Sequence, residues 1–385
     1  MLAMWVVFIL CILAPVYTYA LYPLILSVLP SKKYLESNDV YPSVSVILSA
    51  YNEEKHLTER LKNLSEVEYP SECIEFLIGS DGSSDRTNEL AETFCKQYSN
   101  FEFVPLKRGG KVNVLNTLIK KAKGEILVFT DATRFFEKDA IANITRKFID
   151  KRIGCVNGIV YLESADGAGH GGKSESAYWK YETWVKKQEG RIGRLSGANG
   201  PIYAIRSGII NEIKGGIIND DFYTATYILQ SGYDVVMDDE AVAYGEPNSS
   251  FISQFKRHVR DGAGHYQALA VFWRMLLPRK GSFVFWSHRV IKWLVPFNLI
   301  IALIICATLA SSSRLMLILI ILQIIFYLIL VFYYFFVVKK NKKPHGVIGK
   351  IISLAFYFMS INLALFLGWI RYIGGEQKAT WETQR

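Results

Sequence analysis

Cysteine is sparse and badly spaced for chemistry. Cys11, Cys73, Cys95, Cys155 and Cys306 are the five in 385 residues, and no two form a CxxC pair. Such spacing makes neither a zinc site nor a disulfide framework, and it suits a globular portion facing a reducing, cytosolic compartment. The chain has no internal repeat and no low-complexity tract, which excludes solenoids and biased linkers. The glycine-bearing segment Lys107–Lys111 lacks the GxxxxGK[ST] pattern, and GxGxxG is absent after the first strand-like run, so neither of these phosphate-loop patterns describes those two places. Disorder is excluded by what is abundant: 51% apolar and 14% aromatic residues, where unfolded chains have little of either.

A further absence bears on architecture. Residues 2–29 contain no charge, which is enough to cross a bilayer core that needs about 20 apolar residues. A cleaved signal peptide is the alternative. It calls for a basic stretch ahead of the apolar run, whereas Lys32 and Lys33 follow it. The reading is an anchor with its N-terminus outside and residue 31 onward inside. Three more apolar runs, Val290–Ala310, Leu315–Val338 and Val347–Ile370, are each long enough to span. The last two flank the basic loop Lys339, Lys340, Asn341, Lys342 and Lys343, and placing that loop inside gives a consistent topology of four spans. The excess of 44 basic over 35 acidic residues, a net +9, then needs no nucleic-acid partner, because lysines beside a membrane meet anionic lipid. The expected organisation is a span over 1–30, a globular domain over 31–265, amphipathic interface helices over 266–289, three spans over 290–373 and a tail over 374–385.

Within the globular segment the periodicity alternates. Ser43–Ser49 reads as a strand and Glu54–Leu64 as a helix; Ile74–Gly79 and Asp85–Tyr98 repeat the pair; Lys111–Ala122 is helical and Glu125–Thr130 a strand. This predicts an α/β domain with a mainly parallel sheet covered on both faces. In such sheets ligands gather beyond the carboxyl ends of the strands. Three predicted ends are polar: Ala50, Tyr51, Asn52, Glu53 and Glu54; Asp81, Gly82, Ser83, Ser84 and Asp85; Thr130, Asp131, Ala132 and Thr133. Each alone could be a turn or a helix cap. Together they set carboxylates at one edge, where mutual repulsion calls for a cation or a hydrogen-bonding ligand.

Between the second and third ends lie Lys107, Arg108, Gly109, Gly110 and Lys111. Paired glycines let backbone approach a ligand, and three cations at a helix start favour an anion such as diphosphate. Ser196–Gly200, Asn219–Asp221 and Gln254–Arg257 follow. The acids of the second group could be first-turn acids favoured by the helix dipole. Lys256, Arg257, His258 and Arg260, with the aromatic Val271–Trp286 stretch, could lie on a membrane surface.

The order of these signals resembles the membrane-integrated family-2 glycosyltransferases that make cellulose, chitin, hyaluronan and poly-N-acetylglucosamine, over about residues 43–265 and the flanking spans. YNEE at 51–54, DGSSD at 81–85, GGK with Asn113 and Asn116, TDA at 130–132, NDD at 219–221 and QFKR at 254–257 are similar to that family's motifs. The resemblance implies a GT-A fold, a divalent metal (Mg or Mn), a nucleotide-sugar donor, commonly UDP-linked, and inversion at the anomeric carbon. It implies Asp221 as general base, with Asp220 supporting the geometry. Ala50, Tyr51, Asn52, Glu53, Asp81, Gly82, Lys111, Asp131, Gln254 and Arg257 would bind the nucleotide sugar, with Asp81 and Glu53 on base and ribose. Gly197 and Asn199 would line the acceptor site.

Two departures stand out. The acidic motif is usually DxD, yet Thr133 occupies the second acid's place, so metal binding leans on Asp131, with His258 and His265 as further candidates. Each histidine has a structural alternative. Histidine at 258 also stands where the processive enzymes carry tryptophan, a replacement that weakens the case for a long-polymer product and keeps open one sugar added to a lipid-linked acceptor. The expected partners are donor, glycan or lipid-linked acceptor and bilayer, with a membrane subunit or second copy for any channel. Non-catalytic nucleotide-sugar binding and nucleotidyl transfer are the competing classes; neither calls for both Asp221 and Arg257.

Overall fold

The computed structural model describes residues 2–162, 170–245, 251–340, 342 and 346–375. Most of the expected tail, together with Asn341 and Lys343 of the basic loop, lies outside the described residues.

Strand β1 (Val44–Ala50) is buried at all seven positions, as a β-branched run must be when both sheet faces are covered. It lies between β2 (Ile74–Asp81) and β4 (Ile126–Asp131), parallel to both, and β3 (Phe101–Leu106) adds parallel to β2. The sheet continues through β5 (Phe135–Phe136), β6 (Ile153–Leu162), β7 (Tyr203–Arg206) and β8 (Asp234–Gly245), in the order β3-β2-β1-β4-β7-β6-β8-β5. Strand β7 runs antiparallel to both β4 and β6, and β5 antiparallel to β8. The expected parallel character therefore holds in the first half, while the second half is mixed. That difference matters because β7 brings the chain back beside β4 from the opposite direction, delivering the preceding Ser196–Gly200 loop to the end of β4 that carries Asp131.

Side chains alternate across the sheet, and each face has its own core. Val44, Val46 and Leu48 of β1 meet α3 (Leu57–Ser65), α4 (Thr87–Cys95) and α6 (Ala140–Thr145) through Leu57, Leu61, Leu64, Ala91, Ile141 and Ile144. Ile47 faces the other way, toward α5 (Lys111–Lys121) and α8 (Asp220–Gln230), in the same apolar cluster as Leu115, Leu118, Phe222 and Ile228. Asp131, Asp220 and Lys111 thus begin or end elements that share one sheet end.

Among the described residues four helical stretches are long and apolar enough to cross a membrane: Leu2–Val28, Ser282–Leu309, Arg314–Val338 and Gly346–Ile373. The first comprises α1 (Leu2–Val16) and α2 (Tyr22–Val28) around a π turn just after Pro15, a residue that removes a backbone donor and loosens the ladder. The second comprises α10 (Ser282–Val284), a π turn over Phe285–Val290 and α11 (Ile291–Leu309); α12 (Arg314–Tyr333) and α13 (Gly346–Ile373) follow. Between sheet and spans lie α7 (His170–Arg191) and α9 (Phe251–Val271). Helix α9 continues past residue 265, the expected end of the globular domain. It crosses α13 at a seam of small residues: a Cβ on Gly368 would stand 2.7 Å from Ala263 N and 2.8 Å from Gly262 C. Close backbone approach of this kind is how helices associate without a large apolar driving force.

Candidate active site

The β1–α3 and β2–α4 loops are laced together by short polar side chains. Asn52 has φ 53°, a left-handed conformation that asparagine tolerates better than most residues. Its backbone N donates to Ser83 Oγ at 3.1 Å, and its Oδ1 accepts from Ser84 N at 2.9 Å. Glu53 N donates to Thr87 Oγ1 at 2.8 Å, and Glu54 N to Asp85 Oδ2 at 3.2 Å. The YNEE and DGSSD segments therefore form one rigid rim rather than two independent caps. Burial, together with nearby Asp131 and Asp85, pushes the Glu53 carboxyl up to about 7.

Asp81, expected on base or ribose, has partners in the adjacent basic loop. Its carboxylate is fully buried and accepts from Gly109 N at 2.7 Å, Gly110 N at 2.9 Å and Arg108 Nη1 at 2.9 Å. The guanidinium of Arg108 lies 3.3 Å over the Tyr51 ring. Asp81 therefore holds the basic loop against the rim, and the face offered outward belongs to Arg108 and Tyr51. Glycine is required at 82, where φ is +65° and a Cβ would stand 2.7 Å from Arg108 N.

The pinned loop leads into α5, whose first residue carries the central cation. Lys111 Nζ is 3.3 Å from Asp131 Oδ1 and 3.2 Å from Asp220 Oδ2. Burial alone would lower the Lys111 pKa, but Asp131, Asp220 and Asp221 outweigh it and raise it. Burial likewise opposes ionisation of Asp131, yet Lys111, Arg134 and Arg257 hold its pKa below the usual carboxylate value. Asp221 goes the other way: burial and the adjacent Asp220 push it up to about 6, against the opposing pull of Lys111. Two neighbouring carboxylates with opposed environments are what separate acid–base work from charge stabilisation.

Asp221 is also tightly oriented. Its Oδ2 accepts from Gly200 N at 3.0 Å and its Oδ1 from Phe222 N at 2.7 Å. A Cβ on Gly200 would stand 3.2 Å from Asp221 Oδ2 and 3.8 Å from Asp131 Oδ2, so the absent side chain keeps the space between the two acids clear. Asn199 lies alongside, donating its N to Asn157 Oδ1 at 2.8 Å and its Nδ2 to Gly158 O at 2.8 Å. Gly197 has φ +97°, and a Cβ there would stand 2.6 Å from Phe222 Cδ2.

On α9, Gln254 is buried and Arg257 pairs with Asp261 at 3.6 Å while contributing its charge to Asp131. The two metal-ligand candidates on this helix are not brought to Asp131. His265 stacks on Trp293, ring centroids 4.8 Å apart and planes 13° from parallel, and burial pushes it down to about 3. His258 sits edge-on to Tyr357 of α13 at 6.4 Å. Among the described residues no three His, Cys, Asp or Glu side chains converge as a metal site, and the contacts seen for both histidines are aromatic packing contacts. Among the described residues Asp131 is a carboxylate that fits a hard cation: its Oδ2 borders the cleared space at Gly200, and magnesium-like ions are commonly held by one or two carboxylates plus substrate phosphates.

Sequence reasoning missed a second layer. Lys186 on α7 donates to Asn199 Oδ1 at 2.6 Å, and burial and Arg289 push its pKa down to about 8. Glu182, Glu189, His288, Arg289 and Lys292 are buried where α7 meets the start of the second apolar stretch. The available signals were the spacing of Glu182, Lys186 and Glu189, which puts three charges on one helical stripe, and ionisable residues lodged in an otherwise apolar span.

Residues 45–206 match the family model described as Glycosyl transferase family 2. Over 245 residues the chain is 23% identical to a beta-monoglucosyldiacylglycerol synthase of Trichormus variabilis, covering 62% of this chain and 52% of that protein. Over 252 residues it is 28% identical to a poly-beta-1,6-N-acetyl-D-glucosamine synthase of Staphylococcus epidermidis, covering 65% and 53%. The chain thus spans about half the length of the curated relatives it matches. The mannosyltransferase PcManGT of Pyrobaculum calidifontis, solved with GDP-Man and Mn2+, superposes with a TM-score of 0.73 at 17% identity, over 97% of this chain and 99% of that one, and so has the same fold.

Proposed function

We propose that this chain, which carries a glycosyltransferase family 2 domain over residues 45–206, moves a sugar from a nucleoside-diphosphate donor, UDP-linked by the resemblance, onto a glycan or lipid-linked acceptor at a membrane surface. The observation that carries this reading is the convergence of Asp131, Lys111, Asp220 and Asp221 at one sheet end. The rim of Tyr51–Glu53 and the pinned Arg108–Gly110 loop border the nucleotide side of this cluster, and Gly197–Gly200 the acceptor side.

The chemistry follows from the charges. Asp221, oriented through both oxygens and raised toward neutrality, takes the proton of the acceptor hydroxyl as that oxygen attacks the anomeric carbon in line with the departing diphosphate. General-base assistance of this kind contributes about 10² to 10⁴ in rate. Lys111 and Arg257 offset negative charge as the sugar–phosphate bond breaks, with donors already in place before reaction. A divalent ion, held on the protein by Asp131 and otherwise by diphosphate oxygens, would add Lewis-acid charge there; PcManGT, of like fold, was solved with Mn2+. Asp220 anchors Lys111 and keeps Asp221 from ionising too easily.

Membrane attachment supports an acceptor that is itself at the bilayer. Helix α9, which carries Arg257, packs on the candidate span α13 through Gly262 and Gly368. We place the catalytic domain on the cytoplasmic side, with the Lys339–Lys343 loop beside it. The experiment is to incubate membranes bearing the protein with radiolabelled UDP- and GDP-sugars, with and without Mn or Mg. Metal-dependent consumption of one donor, lost in Asp221→Asn, is the expected result. No donor consumed, or equal turnover by the variant, overturns the reading.

A further inference from the structure

Resting on the glycosyl-transfer reading, we propose that Arg289, at the start of the second membrane stretch, is a positioning residue for the general base, so that this membrane helix is part of the catalytic apparatus and not only an anchor. The geometry has two arms. Arg289 Nε donates to Ser196 Oγ at 3.1 Å, and its Nη2 donates to the Ser196 carbonyl. The same guanidinium lies over the Phe222 ring, 5.5 Å from its centroid.

These two contacts fall on the two segments that orient Asp221. Ser196 opens the loop that reaches Gly200, whose N donates to Asp221 Oδ2, and Phe222 N donates to Asp221 Oδ1. Loop and ring are in turn packed on each other, since a Cβ on Gly197 would stand 2.6 Å from Phe222 and 3.4 Å from Arg289 Nη2. A single planar cation with donors in a fixed fork therefore sets the spacing between both hydrogen-bond donors of the carboxylate.

Arg289 is itself held in place. It is 8% exposed. Its neighbour His288 places Nδ1 2.5 Å from Glu189 Oε1 and Nε2 3.2 Å from Glu182 Oε2, while Lys292 pairs with Glu182. Tyr22 of α2 donates to Glu189 Oε1 at 2.8 Å. A buried ionic cluster is a weak source of stability, because desolvation offsets most of its attraction. What it supplies is a fixed geometry, running from two membrane helices through α7 to the Ser196 loop.

The test compares variants that break the cluster in different places. Arg289→Gln and Arg289→Lys remove or thin the fork on Ser196 and Phe222. Lys292→Met breaks the same cluster one turn along without touching either. Full-length protein in membranes or nanodiscs is assayed for nucleoside diphosphate released from the consumed donor, alongside its thermal unfolding midpoint. The expected result is a fall in kcat of about 10- to 100-fold for Arg289→Gln with donor KM within about twofold of wild type, partial recovery in Arg289→Lys, and a much smaller kcat loss in Lys292→Met at a similar unfolding midpoint. Equal kcat losses in Arg289→Gln and Lys292→Met, tracking lost stability, would make Arg289 merely structural and overturn the proposal. A wild-type protein that consumes no donor overturns the glycosyl-transfer reading itself and is recognised before any variant is compared.

Discussion

Asp221→Asn separates function from stability because the two effects have opposite signs. In the wild-type protein burial and Asp220 raise the carboxyl from 3.8 to about 6. A raised carboxylate is a group the folded state prefers protonated. Its stabilising contribution is full below about pH 4 and is lost as pH rises through about 6, so the ionised form costs about 3 kcal/mol above that point, taking 1.36 kcal/mol per unit. Asparagine carries no charge and escapes that penalty, but its amide NH2 must face either Gly200 N or Phe222 N, each of which now donates to a carboxylate oxygen. One opposed donor costs about 1–3 kcal/mol, so the variant is expected to unfold within a few degrees of wild type. Its turnover is expected to fall about 10² to 10⁴-fold. The wild-type kcat should rise about tenfold per pH unit up to about 6 and then level, since only the ionised base acts. Nucleoside diphosphate release from the consumed donor, followed from pH 4.5 to 8, reads both effects. Turnover in Asp221→Asn within about twofold of wild type, or an unchanged rising limb in the variant, would refute Asp221 as the base.

Other substitutions test neighbouring parts of the site. Lys111→Met leaves Asp131 and Asp220 facing each other without their cation; with a fifth of the side chain exposed, the loss should stay near about 2 kcal/mol in a denaturant midpoint, while donor KM rises more than tenfold. Gly200→Ala puts a methyl 3.2 Å from Asp221 Oδ2 and should lower kcat about tenfold with donor KM unchanged, read by initial rates. His265→Phe preserves the stack on Trp293 and should leave the metal concentration for half-maximal rate unaltered; a shift would restore it as a ligand. Cysteines placed at Lys340 and at Ser312 should react with a membrane-impermeant thiol reagent from opposite sides of the membrane.

Much of this protein follows from local pattern. Uncharged runs long enough to cross a bilayer are visible without a fold, because lipid imposes length and composition on each helix separately. The βα alternation from Ser43 to Thr130 is equally local, and each strand end it predicts carries a residue of the observed rim or cluster. Tyr51–Glu53, Asp81 and Asp131 could be named because acids that repel one another at strand ends need a reason to be there; Asp221 is named through the family resemblance of the NDD segment. Pattern reasoning did not reach partner choice. Asp81 turned inward to Gly109, Gly110 and Arg108, and His265 went to Trp293, since a side chain's environment is set by whatever distant segment packs against it. Strand β7 was not foreseen, yet its antiparallel return carries Gly200 to Asp221. Arg289 meets Ser196 across 93 positions of sequence. Contacts of that separation leave no periodic trace; only the folded chain, by closing the π turn at Phe285–Val290 and the start of α11 onto α7 and the Ser196 loop, decides which buried charges meet and how the proposed base is held.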